Sequence, residues 1–420
     1  MRDFVVKEER LSEKARRNLS ILDVIRRRSE VSRADISKMT DLNIVTVSNY
    51  VSKYINDKVV FETGLDISSG GRRPELLKIN KEYGYSIGVD LGPPQITSSS
   101  AVVGVIMDLS GRVIAKESIK KEKSGFDKLS QKVLELSDML IQKSGIQVSK
   151  LKGIGLGIWG VLDRYRGMVR YAVEEEQIVS YTSLLEQVEA RFKVPVIIEH
   201  DANLAAFGEK WSGMGASTDA ENLIFLCSDS SCGFIIRNEL YFGASKSAGE
   251  FNINPPNKDL SSKEKKSCWT NYESGCCMRS KGIDLGIVDI VKSRVKELPE
   301  DGKKILELAG GNIDEIDLRM IIEASEADDA LAKRTMEEAG DYLGAKIAFL
   351  INLLNPEVVV IGRGIEKAGN LFFSSVRKSV RKWAYEESVK VVKIIPSSLG
   401  EDVVATGAAA FVIRDIFVNV

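Results

Sequence analysis

Between Ser32 and Arg73 the chain sets two short amphipathic segments, a tight turn and a basic hairpin in direct succession. Ser32, with Asp35 three residues on, reads as the cap of one helix. Thr40-Asp41-Leu42 turns the chain, and Asn43 caps a second helix. There Val47, Tyr50, Val51 and Tyr54 recur at i, i+3, i+4 and i+7, so one face is apolar. Thr46, Asn49 and Lys53 share another, polar face. Upstream, Ala15, Leu19, Leu22 and Ile25 follow a cap at Ser12 and predict a supporting helix. One face held by its neighbours and one left free is what a helix read into a major groove requires. Val45, beside the polar face, suits a thymine methyl.

Val59-Val60-Phe61-Glu62 and Glu75-Leu76-Leu77-Lys78-Ile79 read as the strands of a hairpin. Its tip, Ser68-Ser69-Gly70-Gly71-Arg72-Arg73, bends at glycines and carries two cations suited to a minor groove or its phosphates. The candidate DNA contacts are therefore Asn43, Thr46, Asn49, Lys53, Arg72 and Arg73. The bland alternatives are a solvated hairpin with stray charges, and a helix pair used for protein contact.

The charge balance limits the rest. With 59 Lys+Arg against 60 Asp+Glu, the net charge is −1, so affinity for a polyanion has to come from a local patch. The opening Met-Arg-Asp-Phe-Val-Val lacks the apolar core of a secretion signal. No apolar run reaches the roughly 18 residues of a spanning helix, so no membrane partner is expected. The 5 cysteines are an odd count and suit reduced thiols and a cytoplasmic setting.

From Tyr85 the texture changes. Ser86–Gly92, Val102–Met107, Ile154–Ile158 and Val196–Glu199 read as strands alternating with helical patterns, which predicts an α/β architecture. With 420 residues there is material for more than one domain. The expected division is 1–82 for the DNA-reading module and 83–420 for the remainder.

The order of motifs resembles the ROK family, which mixes sugar-responsive bacterial repressors with sugar kinases. The matching pieces are Gly-Val-Asp-Leu-Gly at 88–92, Gly-Leu-Gly-Ile-Trp-Gly at 155–160 and Glu-His-Asp-Ala-Asn at 199–203. Ala-Gly-Glu at 248–250, Leu-Leu-Asn-Pro-Glu-Val-Val-Val-Ile-Gly at 353–362 and Gly-Glu-Asp-Val-Val-Ala-Thr-Gly-Ala at 400–408 continue the series. The resemblance implies a winged helix-turn-helix followed by a two-lobed actin-like ATPase fold. The lobes are expected roughly at 83–200 and 201–420, with a ligand between them. An N-terminal winged helix is what separates the family's repressors from its kinases.

The resemblance also assigns residues. Asp201 stands where the family's catalytic base stands. The family's phosphate turns are glycine-rich, so that backbone N–H groups approach ATP. Here Pro93 and Pro94 follow Asp90-Leu91-Gly92 and remove donors. The second turn reads Ser228-Asp229-Ser230-Ser231-Cys232-Gly233, with an acid near the expected phosphates. No catalytic residue is therefore expected, Asp201 being a vestigial base. Of the family's zinc ligands only Cys276 matches, the others reading Ile253, Trp269 and Asn271, so no metal or other cofactor is expected. A rebuilt site on Cys268, Cys276 and Cys277 is the alternative. Of the family's sugar contacts, Asp201 and Glu250 remain, His200 replaces an Asn, and Ile253 and Met278 replace a His and a Glu. The candidate ligand residues are His200, Asp201 and Glu250, for a sugar or polyol. His200 and Glu250 also read as a satisfied strand-end histidine and a structural carboxylate.

The expectation is a homodimeric, DNA-binding regulator of carbohydrate metabolism that responds to a small ligand and binds a double-stranded operator. A sugar kinase with an N-terminal appendage is the alternative. A DNA-bound scaffold with an inert pocket is a third reading.

Overall fold

The computed structural model describes residues 11–65, 75–92, 101–121, 126–171, 177–213, 220–228, 231–250 and 284–420. Among these the chain forms two compact units. The first takes the residues up to Tyr171, those up to Leu204, and Val404–Val420; the second takes Ala205–Val403. The last helix thus packs with the first unit, for a reason given below.

The first unit opens with α1 (Glu13–Arg28), α2 (Arg33–Thr40) and α3 (Ile44–Asn56). Each helix starts where a side chain satisfies an orphan N–H. Ser12 accepts from Ala15, Ser32 from Asp35, and Asn43 from Thr46 at 2.8 Å. The Ser32 hydroxyl also donates to the Asp35 carboxylate at 2.6 Å. Asp41, in the left-handed region, ends α2. The short β1 (Val31–Ser32) adds to the hairpin of β2 (Val60–Leu65) and β3 (Glu75–Ile79), giving the order β1-β3-β2. Ile21, Leu22, Ile25, Ile36, Val47, Val51, Tyr54 and Leu77 are fully buried in this module.

A five-stranded sheet follows. It comprises β4 (Tyr85–Asp90), β5 (Ala101–Asp108), β6 (Val113–Lys120), β7 (Leu151–Ile158) and, after the three-stranded β8 (Val161–Asp163), β9 (Met168–Tyr171) and β10 (Gln177–Ser180), β11 (Val196–His200). The order is β11-β7-β4-β5-β6, with β4, β7 and β11 parallel and β4-β5-β6 an antiparallel meander. Helices α4 (Phe126–Ser144) and α5 (Thr182–Phe192) cross over between strands. Val133, Leu136, Leu140, Leu184 and Val188 close one core against Ile87, Ile106 and Ile154.

The second unit repeats this topology. Its strands are β12 (Leu223–Cys227), β13 (Ser231–Ile236), β14 (Glu239–Leu240), β15 (Val358–Gly362) and β16 (Lys393–Pro396), in the order β14-β13-β12-β15-β16. Numbered within each sheet, both read 3-2-1-4-5. The helix Ala330–Leu354, capped by Asp329, lies between β14 and β15 in sequence, and Gly369–Trp383 lies between β15 and β16. Met336, Leu343, Ile347, Phe372 and Val376 build the core of this unit with Ile224, Val359 and Ile361. The two repeats are the mixed α/β arrangement of actin-like folds.

The sheet of the first unit has a glycine-lined face. A Cβ at Gly88 would lie 1.9 Å from the Ala405 carbonyl oxygen, and one at Gly155 would lie 2.4 Å from that of Ala408. The helix Val403–Asn419 therefore lies directly on β4 and β7, with backbone against backbone. That contact is what draws the last helix into the first unit.

Candidate ligand site and nucleic-acid interface

The carboxyl ends of β4, β7 and β11 converge in the first unit, the place where open parallel sheets present their chemistry. In register, Asp90 pairs with Gly157 and His200 with Ile158. Asp90 is buried, and its Oδ1 accepts the Gly92 N–H at 2.9 Å. Helix α6 (Asp201–Ser212) begins immediately after β11, so Asp201 sits in its first turn, where aligned peptide dipoles favour an anion. Asp201 Oδ1 accepts the Ala202 N–H at 2.8 Å and lies 3.4 Å from His200 Nε2. His200 and Asp201 are both buried. The arrangement supplies a carboxylate and an imidazole, the donor and acceptor types that recognise vicinal hydroxyls.

Beneath them lies a clamp that motif reading does not reveal. Glu199 is 2% exposed and forms an ion pair with Arg164, from the turn after β8. Its other oxygen accepts the His200 N–H at 2.7 Å and the Asn203 Nδ2 at 3.1 Å. One carboxylate thus ties down the residues on both sides of Asp201. Arg164 is 35 positions away from Glu199, and no short-range pattern marks the pair.

Glu250 belongs to the second unit, where it forms an isolated bridge with Ser231. Gly249 holds φ +107°, and a Cβ there would lie 1.9 Å from the Cys232 carbonyl oxygen, so Ala248-Gly249-Glu250 is pressed against β13. The Cys232 N–H donates to Gly249 at 2.8 Å. Burial, and secondarily the charge of Glu250, raises the Cys232 thiol well above its ordinary range. The thiols of Cys227 and Cys232 are both buried.

On α3 the expected division of faces is present. Val47, Val51 and Tyr54 are fully buried, and Tyr50 packs its ring 6.2 Å from that of Tyr54. Asn43, Asn49 and Lys53 are exposed and Thr46 is half-buried. The Asn43 Oδ1 is committed to capping. Val45 is 66% exposed beside this face. At the base of the hairpin, Arg33 bridges Glu62 at 2.7 Å and Glu75 at 3.4 Å, which ties both strands to the start of α2. The hydrogen bond from Arg33 holds the Glu62 carboxyl below its usual range. Arg72 and Arg73 lie outside the described residues, as do Pro93, Pro94, Asp229, Ile253, Cys268, Trp269, Asn271, Cys276, Cys277 and Met278. Among the described residues no group of three or more His, Cys, Asp and Glu could hold a metal ion. No helix among them is long and apolar enough to cross a membrane.

A sheet-end carboxylate in a duplicated actin-like fold defines a class, and sequence comparison supplies the family. Residues 86–415 match the ROK family, and the chain belongs to it. It is 33% identical over 407 residues to the xylose repressor of Caldicellulosiruptor bescii, covering 95% of each chain. It is 28% identical to the xylose repressor of Bacillus subtilis, covering 94% of each. The glucokinase of Streptomyces coelicolor is 27% identical, but over 78% of this chain and 96% of its own. Among solved structures, a ROK family transcriptional regulator homologous to the MLC protein of E. coli matches with a TM-score of 0.73 at 22% identity, covering 97% of each chain.

Proposed function

We propose that this chain is a sugar-responsive transcriptional repressor in which residues 1–82 form a winged helix-turn-helix and residues 83–420 bind the effector and pair two copies. The observation that carries the reading is where the similarity stops. Alignments to xylose repressors run over 94–95% of the chain, whereas the glucokinase alignment takes in 78% of it, and the family match begins at residue 86. Ahead of the family match stand α1 to α3 and the hairpin. The exposed Asn49 and Lys53 then meet base edges and phosphates, and Arg72 and Arg73 meet the minor groove.

The effector in this reading is a pentose or hexose bound by His200, Asp201 and Glu250, and D-xylose is the first candidate because of the relatives' names. Replacing Asp201 by Ala tests it. The variant should bind operator DNA like the parent in the absence of sugar, but lose at least tenfold of the sugar's effect on affinity. An Asp201→Ala protein that responds to D-xylose like the parent would place the ligand elsewhere.

Kinase activity is the second reading, because Asp201 keeps the position of the family's base. Transfer of phosphate from ATP to glucose or xylose, lost in Asp201→Ala, would establish it.

A further inference from the structure

The first unit contains a polar link that neither the DNA-reading face nor the candidate sugar site accounts for. Asn18, on α1, is fully buried among Ile21, Leu22 and Ile25. Its Oδ1 accepts the Tyr54 hydroxyl at 2.7 Å. Its Nδ2 donates to the main-chain oxygen of Val420 at 2.9 Å and to the Val418 carbonyl at 3.3 Å. Tyr54 is the last buried residue of α3, so one amide joins the DNA-reading helix to the end of the helix Val403–Asn419. Burial pushes the Tyr54 hydroxyl far above its ordinary pKa, so it stays a neutral donor.

The chemistry makes this joint specific. The last carbonyls of a helix have no intrahelical partner, and here they are partly buried. Asn18 supplies their donor, and its own carbonyl is satisfied by Tyr54, so each group depends on the next. An apolar residue at position 18 would remove the acceptor of the Tyr54 hydroxyl and the donor to both main-chain oxygens.

The other end of the same helix lies on the strands that carry the candidate site. Val404 packs on Gly157, Ala405 on Gly88, Ala408 on Gly155 and Val412 on Gly153. Three of these contacts would bring a Cβ within 2.4 Å of the helix, so the helix approaches the sheet too closely for any side chain to stand between them. Gly157 is itself in register with Glu199, the residue that clamps His200 and Asn203. At 1.5 Å per residue, the helix spans about 20 Å between Ala405 and Val418. It lies along the sheet from Val404 to Val412 and meets the DNA module at its C-terminal end.

We infer that the helix Val403–Asn419 is the coupling rod of the protein, and that Asn18 is the joint through which it sets the position of α3. A shift of the strand ends when His200 and Asp201 engage a ligand moves the rod, and the Tyr54–Asn18–Val420 chain carries that movement to α3. The functional half of this inference rests on the sugar-sensing reading. The mechanical half does not, and it can be tested alone.

The test is amide hydrogen exchange on the full chain, on Tyr54→Phe, and on a chain lacking Val418–Val420. Tyr54→Phe keeps the ring in its core position and removes only the hydroxyl. Loss of the link should raise exchange of the α3 amides, Ile44–Asn56, at least fivefold in both variants while β4 and β7 stay protected. Unchanged exchange in α3 overturns the inference. D-xylose is then added at saturating concentration. In the parent, protection should change around His200 and Asp201 and also in α3; in both variants only the first change should remain. An α3 response of parental size in the variants would show that coupling runs by another route and overturns the rod. No response around His200 and Asp201 in the parent counts against the sugar reading alone, and the joint is then judged on the exchange of α3 without sugar.

Discussion

Gly88 faces the carbonyl of Ala405 so closely that a side chain at position 88 would place its Cβ 1.9 Å from that oxygen and 2.4 Å from the Ala409 nitrogen. Both neighbours are backbone and buried, so neither can swing away. Overpacking of this kind costs about 1–3 kcal/mol where side chains yield, and more where backbone has to move. Gly88→Ala should therefore destabilise the first unit by about 3 kcal/mol or more, read as a lower denaturant midpoint. Gly64→Ala is the control. That residue has positive φ, at 61°, which Gly88 does not, but no atom lies within 4 Å of the new Cβ, and its cost should stay near 1 kcal/mol. Equal effects at the two positions would mean that the helix Val403–Asn419 does not lie on the sheet as described.

Arg164 and Glu199 form a buried pair with side-chain exposures of 16% and 2%. Removing one partner of such a pair leaves an uncompensated charge, at about 3–5 kcal/mol. Arg164→Ala should destabilise by roughly that amount and release His200 and Asn203 from their anchor. Arg164→Met combined with Glu199→Gln removes both charges and should recover at least half of the loss in a double-mutant cycle. Strict additivity of the two substitutions would indicate that the residues do not act as a pair.

The exposed face of α3 makes a prediction that separates base reading from charge. Asn49→Ala should weaken binding to the cognate site by about 1–3 kcal/mol and relax discrimination at one base pair. Lys53→Ala should weaken binding to all sequences alike and lower the salt slope by about 1. Fluorescence anisotropy at several salt concentrations reads both. A parental salt slope for Lys53→Ala would remove that residue from the phosphate contacts.

These outcomes bear on how far the chain can be read without coordinates. The caps of α1, α2 and α3 and the apolar stripe of α3 were legible because their determinants lie within a few residues. The strands at 86–92, 102–107, 154–158 and 196–199 were legible as apolar runs, and the order of motifs pointed to the family. Asn18 was not legible, since a single amide inside an apolar stripe resembles a defect. Its partners lie 36, 400 and 402 positions away. Arg164 stayed hidden for the same reason. The short β1 and the three strands β8 to β10 have too few residues to show an alternation. The return of Val404–Val420 to the first unit follows from glycines whose purpose appears only when the opposing helix is present.

In the proposed function a DNA reader and a sugar sensor share this chain. The most direct test begins with the intact protein selecting sites from a random duplex pool. The affinity for the selected site is then titrated with and without D-xylose. The expected result is a two-fold symmetric site bound at least a thousandfold more tightly than random DNA, with an affinity that D-xylose changes tenfold or more. Selection of no preferred sequence, together with ATP-dependent phosphorylation of a sugar by the same preparation, would contradict it.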